Sequence, residues 1–82
     1  MLSSFSLDRL GDGQSAYVVR VEAEPAMGRR LLDMGLIPGT RVTCRGRSPA
    51  GDPAAYLIRG AVVALRTRDA ASVGLAPGPV TV

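Results

Sequence analysis

The stretch Arg29-Arg30-Leu31-Leu32-Asp33-Met34-Gly35-Leu36-Ile37-Pro38-Gly39-Thr40 holds the end of one element and the start of the next. Met27, Leu31 and Met34 recur at i, i+4 and i+7, which is one face of a helix. Pro25, just upstream, suits a first helical turn because its missing N–H would be unpaired there anyway. Gly35 follows the last apolar residue of the stripe, where a left-handed cap favours glycine. The spacing therefore predicts a helix over about residues 25–34, with Leu36 and Ile37 anchoring its exit. Pro38-Gly39 is a turn dipeptide, and a strand begins at Thr40. Isolated helices this short are marginal in water, so the apolar stripe must dock on something.

What it docks on is read from the flanks. Upstream, Ala16 to Ala23 partly alternates, with Tyr17, Val19 and Val21 on one side and Val18, Arg20 and Glu22 on the other, as in a half-buried strand. Residues 3–13 mix polar and apolar side chains and finish in Gly11-Asp12-Gly13, an arm closed by a turn. Downstream, Thr40 to Arg47 puts Val42 and Cys44 on one face and Arg41, Thr43, Arg45 and Arg47 on the other. Ser48-Pro49-Ala50-Gly51-Asp52-Pro53 is a loop, and Arg59-Gly60 a tight reversal between the strands Ala55 to Arg59 and Ala61 to Arg66. Arg68 to Ser72 reads as a single helical turn, Val73-Gly74-Leu75 as a closing strand, and Pro77-Gly78-Pro79 as a loose tail. Five short strands with one helix inserted after the first suit a small, mainly β barrel better than an open sheet with bare edges. One domain is expected over residues 1–82, with its core at about 7–75 and a flexible tail at 76–82.

Composition removes several function classes. Histidine is absent and Cys44 is the only cysteine, so the usual general base and any Cys-based metal cage are missing, and Cys44 is expected as a buried thiol. Asp8, Asp12, Asp33, Asp52 and Asp69 are scattered without the spacing of a calcium loop or a carboxylate pair. No nucleophile–base pair or phosphate-binding loop can be assembled, so the chain is not expected to be an enzyme or to carry a cofactor or metal. The apolar residues near the start are broken by Ser3, Ser4, Ser6 and Asp8, and no run approaches ~20 apolar residues, so neither a signal peptide nor membrane insertion is expected. Ten arginines and no lysine stand against seven acids, a net charge of +3. Arg41, Arg45 and Arg47 share strand parity and are expected to join Arg59, Arg66 and Arg68 in a cationic surface, with a solvated outer face as the simpler reading. Phe5, Tyr17 and Tyr56 are too few aromatics to stack on bases, so nucleic acid is not expected as a partner.

Five pieces occur together in order: Leu7 and Leu10 with Gly13 after them, a strand, Arg29 to Thr40, Ser-Pro-x-Gly-Asp-Pro from Ser48 to Pro53, and Val-Ala-Leu-Arg from Val63 to Arg66. Over about Leu7 to Leu75 this resembles the FeoA family. The resemblance implies an SH3-like β-barrel with one inserted helix, and a non-enzymatic, cytoplasmic accessory role in bacterial ferrous-iron uptake. It further implies action on FeoB, the Fe²⁺ permease that carries a GTP-binding domain, which would bring the chain to the inner face of the membrane. The candidate contacts with such a partner are Arg29, Arg30, Leu31, Leu32, Asp33, Leu36 and Ile37, whereas Met34, Gly35, Pro38 and Gly39 are expected to shape the fold. Leu31 and Leu32 point about 100° apart, so a small barrel can cover one and leave the other as an anchor. Packing is the default for Leu31 and Met34. The alternative reading is a basic SH3-like regulatory or nucleic-acid-binding module, which the pI near 10.0 permits.

Overall fold

The structure is a computed structural model that describes residues 5–78. Six antiparallel strands form one sheet: β1 (Phe5–Ser6), β2 (Ser15–Val21), β3 (Arg41–Arg47), β4 (Ala54–Ile58), β5 (Ala61–Leu65) and β6 (Val73–Ala76). Their order across the sheet is β1-β6-β2-β3-β4-β5. A 3-10 turn, Leu7–Arg9, follows β1; the helix α1, Pro25–Asp33, joins β2 to β3; and the short helix α2, Thr67–Ala70, joins β5 to β6. The inserted helix thus falls where the sequence put it. Among the described residues backbone pairing does not close the sheet, since β1 and β5 are its edges.

One core serves the chain. Ala16, Val18, Val42, Cys44, Ala54, Tyr56, Ile58, Leu65, Val73 and Leu75 face inward from the strands, and Leu7, Leu10, Leu31, Leu36 and Ala70 cover them from the turns and helices. The sixth strand is a difference from the expected five. Phe5 and Ser6 pair with Leu75 and Gly74, so the arm is tied to the far end of the chain. Two residues are too few to show a period of two, which hides such a strand from sequence patterning. Strand β6 also runs to Ala76, which pairs with Tyr17 and is buried, one residue into the stretch expected as tail. Residues 79–82 of that tail lie outside the described residues.

Two bulges change which side chains face in. In β2 the register shifts between Val18 and Arg20, so Ala16 and Val18 point inward before the bulge and Val21 packs on the core after it. In β3 the register shifts between Cys44 and Gly46, and Gly46 takes φ +143°. Arg47 consequently pairs with Ala54 on the same face as Cys44 and Tyr56, not beside Arg45 as strict alternation predicts. Its guanidinium donates to the carbonyls of Asp8 at 2.8 Å and Leu10 at 2.9 Å, clamping the 3-10 turn over that end of the core. The cationic surface expected of β3 loses Arg47 for this reason.

Tyr56 lies fully buried beside Arg47, and its hydroxyl has no hydrogen-bond partner among the described residues. Burial pushes the hydroxyl above its ordinary value of 10.0, with the Arg47 guanidinium beside it acting in the opposite sense. A raised folded-state value stabilises the protein fully below the unfolded value and is lost as pH rises from there through the folded value. Tyr56→Phe should therefore change the melting temperature by less than about 5 °C near neutrality, because no partner is orphaned. The same variant should lose less stability than the parent between about pH 9 and pH 11. Thermal melts across that range test this, and an equally steep alkaline fall would exclude Tyr56 as the group responsible.

Candidate functional site

The helix end is built by its own sequence. Glu24 caps the start of α1, its carboxylate accepting the Met27 N–H at 3.1 Å, and Pro25 occupies the first turn. At the other end the Leu36 N–H donates to the Leu31 carbonyl at 3.1 Å and the Gly35 N–H to the Leu32 carbonyl at 2.9 Å. With Gly35 at φ +103°, this is the paired 6→1 and 5→2 pattern of a Schellman cap. The apolar contact that accompanies such a cap joins the positions of Leu31 and Leu36, and both are 0% exposed.

The next four residues make a second device. The Thr40 N–H donates to the Ile37 carbonyl at 3.0 Å across Pro38-Gly39, with Gly39 at φ +94°, the signature of a type II turn. The Gly39 N–H then donates to the Val18 carbonyl at 2.8 Å, and the Val18 N–H to the Thr40 carbonyl at 2.9 Å, so the turn is stitched to β2 before β3 begins. Cap and turn together consume Leu31, Gly35, Leu36 and Gly39. What they push outward is Leu32, 45% exposed, and Ile37, 42% exposed.

The candidate residues therefore separate. Leu31 and Leu36 are in the core and cannot touch a partner while the fold is intact. Met34 is partly buried against the core. Arg29, Arg30, Asp33 and Pro38 are exposed, as are Leu32 and Ile37. One apolar surface residue was missed: Val62 on β5 is 61% exposed, and strand alternation alone could not say which face of that hairpin meets solvent. The hairpin also reaches α1, because the side chain of Arg59 lies over Gly35.

Other chemistry is sparse among the described residues. Cys44 is buried, with its thiol donating to an Asp12 carboxylate oxygen at 3.6 Å. Two ion pairs form there, Arg20 with Glu22 and Arg68 with Asp69. Among the described residues no three Cys, Asp or Glu side chains come together in a group that could hold a metal ion, and no helix is long and apolar enough to cross a membrane. Asp52 has a fold role: its carboxylate accepts the Thr67 N–H at 2.9 Å, capping α2 from the loop between β3 and β4.

Known proteins resemble the chain throughout. It is 37% identical over 67 residues to an Fe(2+) transport protein A/Fe(2+) transporter FeoB fusion protein of Porphyromonas gingivalis, a match spanning 82% of this chain and 8% of that protein's length. The solution structure of FeoA from Chlorobium tepidum superposes with a TM-score of 0.84 at 33% identity, covering 89% of this chain and 70% of that one. The crystal structure of Stenotrophomonas maltophilia FeoA, a procaryotic SH3 domain protein complexed with zinc, superposes with a TM-score of 0.78 at 29% identity, covering 87% and 88% of the two chains. The six-stranded sheet with its inserted helix is accordingly an SH3-like fold, left open at β1 and β5. The FeoA domain matches residues 5–77, nearly the whole described chain, and the protein belongs to the FeoA family.

Proposed function

We propose that this chain is a non-enzymatic accessory module of bacterial ferrous-iron uptake that docks on the cytosolic, GTP-binding part of a FeoB-type permease. Leu32 and Ile37 are its apolar anchors, and Arg29, Arg30 and Asp33 form the polar rim around them. The observation that carries the reading is the exposure of two large aliphatic side chains on either side of a buried cap, in a segment whose other apolar residues are spent on the core. A buried apolar anchor surrounded by weaker polar contacts is the usual anatomy of a protein interface. The Porphyromonas gingivalis relative lends support, because fusion to FeoB holds the two domains at high effective concentration without any further contact. The iron is then cargo of the permease and needs no ligand from this chain.

Docking on such a partner changes transport only if the module prefers one of the partner's states over another. The test is calorimetric titration of the protein with the cytosolic part of the FeoB from the same organism. Wild type should bind, and Leu32→Glu and Ile37→Glu should each weaken binding by more than about tenfold, since burying an unpaired charge at an anchor costs more than about 1.4 kcal/mol. Both variants should melt with the parent, because neither side chain lies in the core. Absence of wild-type binding at about 100 µM, where a Kd corresponds to only about 5–6 kcal/mol, would reject direct docking.

A further inference from the structure

We infer that the open edge of β5 and the groove beside it form a second docking site, which takes an extended acidic peptide segment as an added strand. Edge strands normally carry protection in the form of shortness, charge, proline or a covering element. The other edge, β1, spans Phe5–Ser6 among the described residues. By contrast β5 runs for five residues, Ala61-Val62-Val63-Ala64-Leu65, with neither charge nor proline. The two-residue turn at Arg59-Gly60, both at positive φ, makes Ile58 and Ala61 a hydrogen-bonded pair. The alternation that follows aims the N–H and C=O groups of Val62 and Ala64 away from β4, toward the open side.

A groove lies at the Ala64–Leu65 end of that edge. One hollow of about 300 Å³ is lined by Met27, Arg30 and Met34 of α1 and by Ala64, Leu65, Arg66 and Arg68 across from them, with Asp69. It shares Met27, Arg68 and Asp69 with a neighbouring hollow of about 410 Å³ that continues toward Glu24. Side chains on the inner face of an added strand would enter this groove and meet the two methionines, whose unbranched chains adapt to varied shapes. Three arginines face one carboxylate in the first hollow, and among the described residues neither Arg30 nor Arg66 forms an ion pair. That charge selects an acidic occupant. It disfavours a second copy of this chain, whose β5 edge would bring Arg59, Arg66 and Arg68 against the same cations. The larger hollow at Phe5, Arg9 and Arg20 lacks these features, since Arg20 is already paired with Glu22.

Arg30 borders both this groove and the Leu32–Ile37 surface, but Val62, Ala64 and Arg66 belong to this site alone, so its failure in their variants leaves the docking reading standing, and the reverse holds for Leu32 and Ile37. The test uses a fluorescein-labelled, end-capped peptide Glu-Val-Asp-Val-Glu-Val, with Lys-Val-Lys-Val-Lys-Val as control, titrated against the full chain by fluorescence anisotropy at low ionic strength. Binding of the acidic peptide is expected in the range of about 10–100 µM, weakened by salt, with the basic peptide at least about tenfold weaker. Arg66→Glu should cost about tenfold or more. Val62→Pro removes one outward N–H while sparing the pairs with β4, and should abolish binding with the fold retained. Hydrogen exchange on the wild type, which does not depend on that variant folding, should show Val62 and Ala64 amides newly protected by the acidic peptide. Equal binding of the basic peptide, unchanged binding by a folded Val62→Pro, protection elsewhere, or self-association through β5 without peptide would each overturn the inference.

Discussion

Leu31→Ala is expected to destabilise the protein by about 2–5 kcal/mol, whereas Leu32→Ala, one residue along, should cost less than about 0.5 kcal/mol. The contrast follows from the cap. Leu31 is 0% exposed and lies at the position that meets Leu36 beneath the Schellman pattern, so its truncation leaves a cavity at the joint between helix and sheet. Leu32 is 45% exposed and its loss opens no void. In a domain of this size about 1 kcal/mol moves the melting temperature by roughly 4–8 °C, so urea or thermal unfolding separates the two variants easily. The binding experiment should reverse the ranking: Leu32→Ala weakens docking on the permease while melting with the parent. Equal destabilisation by both substitutions would mean that Leu32 is packed in solution and is not an anchor.

The same pair of residues marks how far the sequence could be read. Met27, Leu31 and Met34 set the helix, Gly35 its cap and Pro38-Gly39 the turn, because each depends on local backbone geometry that a few neighbouring residues dictate. The Arg59-Gly60 hairpin was legible for the same reason. Exposure was not. Whether Leu31 or Leu32 is covered depends on how α1 meets a sheet assembled from distant strands, and their adjacency in sequence gives only the angle between them. The two bulges were hidden more deeply. Gly46 sits amid arginines that read as one alternating cationic row, yet the bulge there turns Arg47 inward to the carbonyls of Asp8 and Leu10. A one-residue slip moves every later side chain to the other face, so parity arguments hold only up to the first bulge. Val62 was missed because its importance lies in being at an edge, which is a property of sheet order.

Much of the segment Arg29 to Thr40 is spent on the fold. Four of its apolar or glycine positions make the cap and turn, and such positions tolerate little change whatever the protein binds. The surface it offers is limited to side chains between those positions. A mutational scan of the segment would therefore mix losses of folding with losses of binding unless stability is measured beside each affinity.

Gly35→Val should be the most damaging single change within the segment that adds atoms, costing about 2–4 kcal/mol. Two causes combine. At φ +103° a β-branched residue is strained whatever surrounds it, a cost of about 1–3 kcal/mol. An added Cβ would also lie 2.6 Å from Cδ and 3.2 Å from Cγ of Arg59, and 3.4 Å from Cγ2 of Ile58. The last distance is ordinary contact, and Arg59 is exposed, so its stem can swing aside for about 1 kcal/mol of lost packing and altered rotamer. Backbone strain should therefore dominate, and a double-mutant cycle separates the terms. In an Arg59→Ala background, where the clashing stem is gone, Gly35→Ala should recover no more than about 1 kcal/mol of its cost, leaving the greater part in place. Urea unfolding of the four proteins measures this. Full recovery would assign the glycine to close packing under the β4–β5 turn. Little or no recovery would assign it to the left-handed cap, which is the outcome the hydrogen-bond pattern at Leu31, Leu32, Gly35 and Leu36 requires.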